Sequence, residues 1–164
     1  MSLEDIANSL ATTWLAETLT DSTWLFGVVE AVHVMALTLV FGSIALVDLR
    51  LIGLAQRHRD ADTLVRQLLP LTWGGFALAA ISGTTMIFAN PHGYFDNTFF
   101  RAKMVALVLA GLNVLLFHYV VQPRAHAADA PKSSNTLGQR LSGGISLLLW
   151  LTIITCGRWI GFTI

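Results

Sequence analysis

Two histidines, His33 and His118, lie in long apolar stretches of this 164-residue chain, where an ionisable side chain is costly. A neutral imidazole nitrogen is a good axial ligand for haem iron. Gly111 precedes His118 by seven residues, which places both on nearly the same face of a helix and leaves room there for a flat macrocycle. The sequence therefore predicts His33 and His118 as metal ligands of a haem b, with Gly111 beside the ring.

The spacing leaves open whether both histidines serve one haem. Counted from the expected starts of the first and third helices, His33 lies nine residues after Trp24 and His118 lies fourteen residues after Met104. These depths differ by about 8 Å at about 1.5 Å per residue. Helix tilt, or a first helix that begins farther out, would remove the difference. Otherwise the histidines belong to separate sites, or each one only hydrogen-bonds a neighbouring helix.

Charged residues near the histidines suggest two further groupings. Arg101 and Lys103 are expected at the outer end of the third helix, where they could bind haem propionates or lipid phosphates. Glu30, His33 and Arg158 are expected to form a buried polar network that titrates as a coupled set. The alternative for this network is an ion pair that only fixes the helix register.

A second polar group, Asp48 and Arg50, closes the first apolar stretch. We expect Asp48 to pair with Arg140 or Arg124 across the bundle in a structural role. Cys156 is the only cysteine of the chain, which excludes an intramolecular disulfide and a cysteine-based zinc site. No nucleophile–base motif, phosphate-binding glycine loop or zinc-protease signature is present, so the sequence does not decide whether the protein is an enzyme.

The elements that must position these residues are four apolar stretches. The chain is 54% hydrophobic and 12% charged, with a mean hydropathy of +0.64. A bilayer core of about 30 Å needs about 20 apolar residues in a helix, and backbone groups in lipid must be satisfied within the segment. We predict an all-α four-helix transmembrane bundle with spans at about 24–47, 68–89, 104–121 and 141–162. The formal net charge is zero, which gives no support to nucleic-acid binding.

Residues 1–23 precede this membrane domain of residues 24–164. Apolar residues recur at helical spacing between Leu3 and Leu15, which predicts a short amphipathic helix on the outer membrane surface. A disordered tail is the alternative.

Positive residues set the expected orientation. They are concentrated in the connections after the first and third stretches: Arg50, Arg57, Arg59, Arg66, Arg124, Lys132 and Arg140. The positive-inside rule then places both termini outside the cytoplasm.

Several sequence strings resemble a group of small four-span bacterial inner-membrane proteins of unassigned function. The strings are Glu30-Ala31-Val32-His33, Asp48-Leu49-Arg50-Leu51, Phe100-Arg101-Ala102-Lys103 through Gly111 to His118, and Gly157-Arg158-Trp159-Ile160. The resemblance implies a location in the bacterial inner membrane. A looser similarity is to b-type cytochromes of the cytochrome b561 and superoxide-oxidase kind. Those proteins generally ligate two haems with four histidines, whereas only His33 and His118 lie within these spans.

We therefore expect a haem b protein that transfers electrons between a quinone and an outer-side acceptor protein. The expected partners are membrane lipids, this quinone and this redox protein. One alternative is proton-responsive transport of a small solute by the network of Glu30, His33 and Arg158. Another is an accessory subunit of a larger complex, and the glycine-rich second and fourth stretches would also allow homo-oligomers.

Overall fold

The computed structural model describes residues 3–54, 61–123 and 136–164, with side chains from residue 4 and, in the second segment, from residue 65. The described part is almost entirely helical and contains no strand. Its helices are α1 (Leu3–Ala11), α2 (Trp14–Asp21), α3 (Leu25–Ile52), α4 (Ala61–Ala89), α5 (Pro91–Asp96), α6 (Thr98–Leu116), a π-helical turn (Phe117–Val121) that continues α6, and α7 (Leu137–Thr163).

Four of these segments are long and apolar enough to cross a membrane: Leu25–Ile52, Val65–Ala89, Thr98–Val121 and Leu137–Thr163. The prediction of an all-α bundle with four membrane helices is confirmed, and the chain is a multi-pass membrane protein. The helix ends differ from the predicted spans. Helix α6 begins six residues before Met104, because the Asn97 side chain accepts the backbone N–H groups of Phe99 and Phe100 and caps the helix there.

The N-terminal segment forms two helices, whereas the sequence predicted one. Helix α1 ends at Ala11, and the Thr13 hydroxyl then accepts the backbone N–H of Ala16 at the start of α2. Helix α1 packs against α5, and α2 packs against α4. Helix α5 occupies the connection between α4 and α6, and the Asn90 side chain caps its first turn.

Contacts between the membrane helices define their packing order. Helix α3 packs along both α4 and α7, and α6 packs along α7. All three pairs are antiparallel: Gly75 of α4 lies against Val40, Gly143 of α7 lies against Asp48, and Asn113 of α6 bonds to Ser142. The starts of α3 and α6 and the ends of α4 and α7 therefore share one end of the bundle, which we call the terminal end. The other end is called the opposite end.

An apolar layer fills the middle of the bundle. Its buried members come from α3, α6 and α7: Val40, Ala106, Ala110, Trp150 and Ile153. None of these residues is ionisable. The layer therefore separates the polar side chains at the terminal end from those at the opposite end.

Helix α7 approaches α3 closely at Gly143. A Cβ atom at this glycine would lie 3.0 Å from the Asp48 carbonyl oxygen and 3.0 Å from the Leu51 Cβ. Backbone cannot move aside as a flexible side chain can, so a larger residue here must separate the helices. The next glycine, Gly144, has nothing within 4 Å of the same position and serves as a matched control.

Replacing Gly143 with valine should therefore destabilise the protein, by about 1–3 kcal/mol if the cost is that of ordinary overpacking. The Gly144→Val variant should lose much less stability. Thermal unfolding of both purified variants in a mild detergent measures the difference. Equal losses in the two variants would show that α3 and α7 do not meet closely at Gly143.

Candidate functional site

His33 lies at the interface between α3 and α4, half-buried, with its Nδ1 atom 3.0 Å from the Ser82 hydroxyl oxygen. The Ser82 hydroxyl donates its proton to the Leu78 carbonyl at 2.7 Å. Its oxygen can then only accept from His33, so we assign the proton of the neutral ring to Nδ1. The ring is also hydrogen-bonded to the Ala79 backbone.

Gly83 provides the surface on which the His33 ring rests. A Cβ atom at Gly83 would lie 2.9 Å from the ring carbon Cε1 and 3.3 Å from Nδ1. Only glycine therefore allows the imidazole to approach the α4 backbone so closely. Together, Ser82 and Gly83 fix both the tautomer and the position of the ring, and Nε2 keeps its lone pair.

Lys103 brings a positive charge towards the same region. It lies half-buried on α6, with Nζ 3.5 Å from the position that a Cβ at Gly157 of α7 would take. Within the described part of the chain, Nζ has no hydrogen-bond or ion-pair partner, and Lys103 is close enough to interact electrostatically with His33. A half-buried ammonium group in this position is suited to an anionic or strongly hydrogen-bond-accepting ligand.

The two residues occupy a common layer near the terminal end. His33 lies eight residues from the start of α3, and Lys103 lies five residues from the start of α6. At about 1.5 Å per residue, both are about 8–12 Å from the helix ends. We call His33, Ser82, Gly83 and Lys103 the His33 site.

His118 does not belong to this site. It lies exposed in the π-helical turn, twenty residues after the start of α6, with its ring edge against Tyr119. Measured from the helix starts, its depth exceeds that of His33 by about 18 Å. The offset is larger than the sequence suggested because α6 begins at Thr98. Since axial ligands bind opposite faces of one iron atom, these positions do not fit a single haem shared by His33 and His118.

The other residues predicted around the haem also lie apart from His33. Gly111 is exposed, and nothing lies within 4 Å of the position that a Cβ atom would take there. Arg101 is exposed, forms an ion pair with Asp96 at 3.6 Å and donates from Nε to the Phe95 carbonyl at 2.8 Å. It therefore ties the start of α6 to α5.

The expected network of Glu30, His33 and Arg158 does not form as a set of contacts. Glu30 and Arg158 are both exposed, and the Arg158 guanidinium lies over the Phe162 ring at 4.7 Å. No hydrogen bond or ion pair joins the three side chains in the described residues. Those residues also contain no group of three histidine, cysteine, aspartate or glutamate side chains that could hold a metal ion.

Tyr94 is buried on α5 and is 8% exposed. Its ring packs edge-on against Phe100 at 5.5 Å. Burial raises the pKa of the Tyr94 phenol, and the negative charge of Glu30 raises it further. Tyr94 is therefore a buried, protonated side chain packed against the start of α6 at the terminal end of the bundle.

At the opposite end, Asp48 does not pair as expected. Arg140 is exposed, and Arg124 lies outside the described residues. The carboxyl group instead accepts a hydrogen bond from Ser146 of α7. The expectation of an ion pair with Arg140 is therefore wrong.

A family model described as a family of unknown function, DUF6644, matches residues 10–163, and the chain belongs to this family. The match confirms the resemblance to small four-span proteins of unassigned function. No curated protein and no solved structure matches the chain.

Replacing Gly83 with alanine should displace the His33 ring from Ser82, because the new methyl group would overlap Cε1. Gly74→Ala is the matched control on the same helix, since nothing lies within 4 Å of that position. Histidine ¹⁵N chemical shifts in detergent should show the Nδ1–H tautomer in the wild type and in Gly74→Ala only. An unchanged spectrum in Gly83→Ala would mean that Gly83 does not position the ring.

The Tyr94 phenol should ionise above the ordinary tyrosine pKa of about 10. The folded state holds the phenol proton more tightly than the unfolded state does. The free energy of unfolding therefore falls as the pH rises above the ordinary tyrosine pKa. In an alkaline absorbance titration, the tyrosine ionisation step that disappears in Tyr94→Phe should have its midpoint above the ordinary tyrosine pKa. Glu30→Gln should lower this step, whereas Glu17→Gln should not. A Tyr94 step at the ordinary value would contradict the burial seen here.

Proposed function

We propose that this protein is a membrane redox protein that binds haem b through His33 and passes electrons between a quinone and an acceptor protein outside the cytoplasm. The observation that supports it is the fixed His33 ring, whose Nδ1–H is held by Ser82 while Nε2 keeps its lone pair. Histidines that ligate metals commonly donate their other ring N–H to such a partner, which sets their orientation and basicity. His33 would thus hold the haem through Nε2, and His118 would take no part in this site.

Lys103 has the second role in this proposal. Haem propionates are anions, and the oxygens of a quinone gain negative charge on reduction. The Lys103 ammonium, half-buried and lacking an acceptor among the described residues, would neutralise either group. When bound, haem supplies the one-electron chemistry, and the protein supplies the ligand, the charge and the low-dielectric surroundings.

The apolar layer favours electron transfer over transport of a solute. Val40, Trp150 and Ile153 fill the middle of the bundle between the His33 site and the polar side chains at the opposite end. Ions and hydrated solutes would need polar groups in that layer. Glu30 and Arg158, on which a transport mechanism would depend, are exposed and not joined to His33. The arrangement therefore supports a reaction confined to one half of the membrane.

The location and orientation are part of the proposal. We place the protein in the bacterial inner membrane with the terminal end outside. The arginines at the opposite end, which include Arg66 and Arg140 among the described residues, support this orientation. The His33 site then lies in the outer half of the bilayer, within reach of an acceptor outside the cytoplasm.

A purified protein supplied with haem should show a Soret band, and adding a quinol should reduce the haem and shift this band. The band should be lost in His33→Ala and retained in His118→Ala, which serves as the matched control. Ser82→Ala should bind haem about 10–100-fold more weakly, as expected when an outer-shell partner of a ligand is removed. Absorption spectroscopy measures all three variants in the same detergent.

Two results would overturn the proposal. One is the absence of a Soret band in the folded wild-type protein, and the other is a band of equal strength in His33→Ala. If the Soret band is present but no quinol reduces the haem, the haem site stands and the quinone is removed from the proposed reaction.

A further inference from the structure

A second buried ionisable group lies at the opposite end of the bundle. Asp48 is 5% exposed and sits on α3, fifteen residues beyond His33 and four residues before the helix ends at Ile52. This separation is about 22 Å along the helix at about 1.5 Å per residue. The Asp48 carboxyl group is therefore independent of the proposed haem site.

Within the described part of the chain, one of the two Asp48 carboxyl oxygens lacks a hydrogen-bond partner. Oδ2 is fully buried and forms no hydrogen bond, so the bond from Ser146 must be accepted by Oδ1. The neighbouring Ser142 hydroxyl is engaged elsewhere, because it donates to Asn113 Oδ1 at 3.2 Å. The Asn113 Nδ2 atom in turn donates to the Ser142 carbonyl oxygen at 3.0 Å. Asp48 Oδ2 thus points into a place where the described residues offer no donor.

The close packing of α3 and α7 holds the carboxyl group in this position. Gly143 lies against the Asp48 backbone, one turn from Ser146 on α7. The side chain is therefore clamped between the two helices and does not turn outwards.

Among the described residues, no surrounding charge compensates a carboxylate at Asp48. Arg140 on α7 and Arg66 on α4 are both exposed, and the buried Arg50 follows Asp48 by two residues, about 200° around α3. Asp48 also lies near the C-terminus of α3, where the helix dipole disfavours a negative charge. A buried carboxylate with a single hydrogen bond and no paired cation is costly, whereas a carboxylic acid is not charged.

We propose that Asp48 is a proton-binding site, whose carboxyl group is protonated in the packed bundle and exchanges its proton with the aqueous phase at the opposite end. Oδ2 carries the proton, and Oδ1 accepts from Ser146. The helix end is about 6 Å away, so the exchange path along α3 is short. A sodium ion is the competing occupant, but it normally needs several oxygen ligands, and Ser146 supplies one.

Infrared spectroscopy of the full-length protein at neutral pH tests this site directly. The wild type should show the carbonyl-stretch band of a buried protonated carboxylic acid, with a small shift in D₂O. The band should be lost in Asp48→Asn, which is close in shape to the protonated acid. It should move to higher frequency in Ser146→Ala, because the carbonyl loses its hydrogen bond. Asp96→Asn, at an exposed carboxylate of the terminal end, should leave it unchanged.

Three results would overturn the proposal. The first is an identical carbonyl region in the wild type and Asp48→Asn. The second is a band that Ser146→Ala does not shift, which also decides the matter if Asp48→Asn fails to fold. The third is disappearance of the band on adding sodium at constant pH, which would make the site a cation site.

Discussion

The hydrocarbon core of a bilayer offers no hydrogen-bond donor or acceptor, and this constraint governs where the polar side chains of the four membrane helices lie. Hydroxyls on the exposed faces bond to their own helix: Thr38, Thr85 and Thr152 each donate to the carbonyl four residues earlier. Polar groups at the helix contacts bond across them, as Ser43 does with Thr72 at 2.8 Å and Asn97 with Thr163 at 2.7 Å. These pairs set the register between helices, because a shift by one turn would leave both partners unsatisfied.

The same constraint explains which parts of the fold could be predicted. Hydropathy identifies four spans because a membrane helix must be apolar over its whole length, and this signal is local in the sequence. The helix ends were less accurate, since they depend on single capping residues. Asn97 starts α6 well before the apolar run begins, so Arg101 and Lys103 lie inside the helix, where the sequence had placed them at its edge. Thr136 and Gln139 likewise start α7 with reciprocal capping bonds.

The site was predictable only in part, because its geometry depends on contacts between helices. His33 stood out as an imidazole in an apolar run, but nothing in the sequence pairs it with Ser82, forty-nine residues away. Gly83 is one of three glycines in the second apolar stretch, and nothing in the sequence singles it out. A useful signal was nevertheless present: Ser82 and Gly83 are adjacent small residues at a depth in α4 that matches His33 in an antiparallel neighbour. The depths of His33 and His118 were counted from the apolar runs, which gave a difference of about 8 Å. The difference is larger when it is counted from the true helix starts, which the capping residues set.

His33 and Asp48, two ionisable groups of α3, differ in what their surroundings provide for a charge. His33 is held by α4 with its Nδ1–H satisfied, so a neutral ring with one remaining lone pair is the stable form, and Lys103 adds positive charge nearby. Asp48 is held against α7, and one of its oxygens has no hydrogen-bond donor among the described residues, so its surroundings favour the uncharged carboxylic acid. Between them lies an apolar layer without an ionisable group, centred on Val40 and Ile153. Among the described residues, that layer offers no polar route from Asp48 to His33, so the two proposed sites lie at opposite ends of the bundle. If they are coupled, the coupling passes through the packing of α3, which is the one helix that carries both groups.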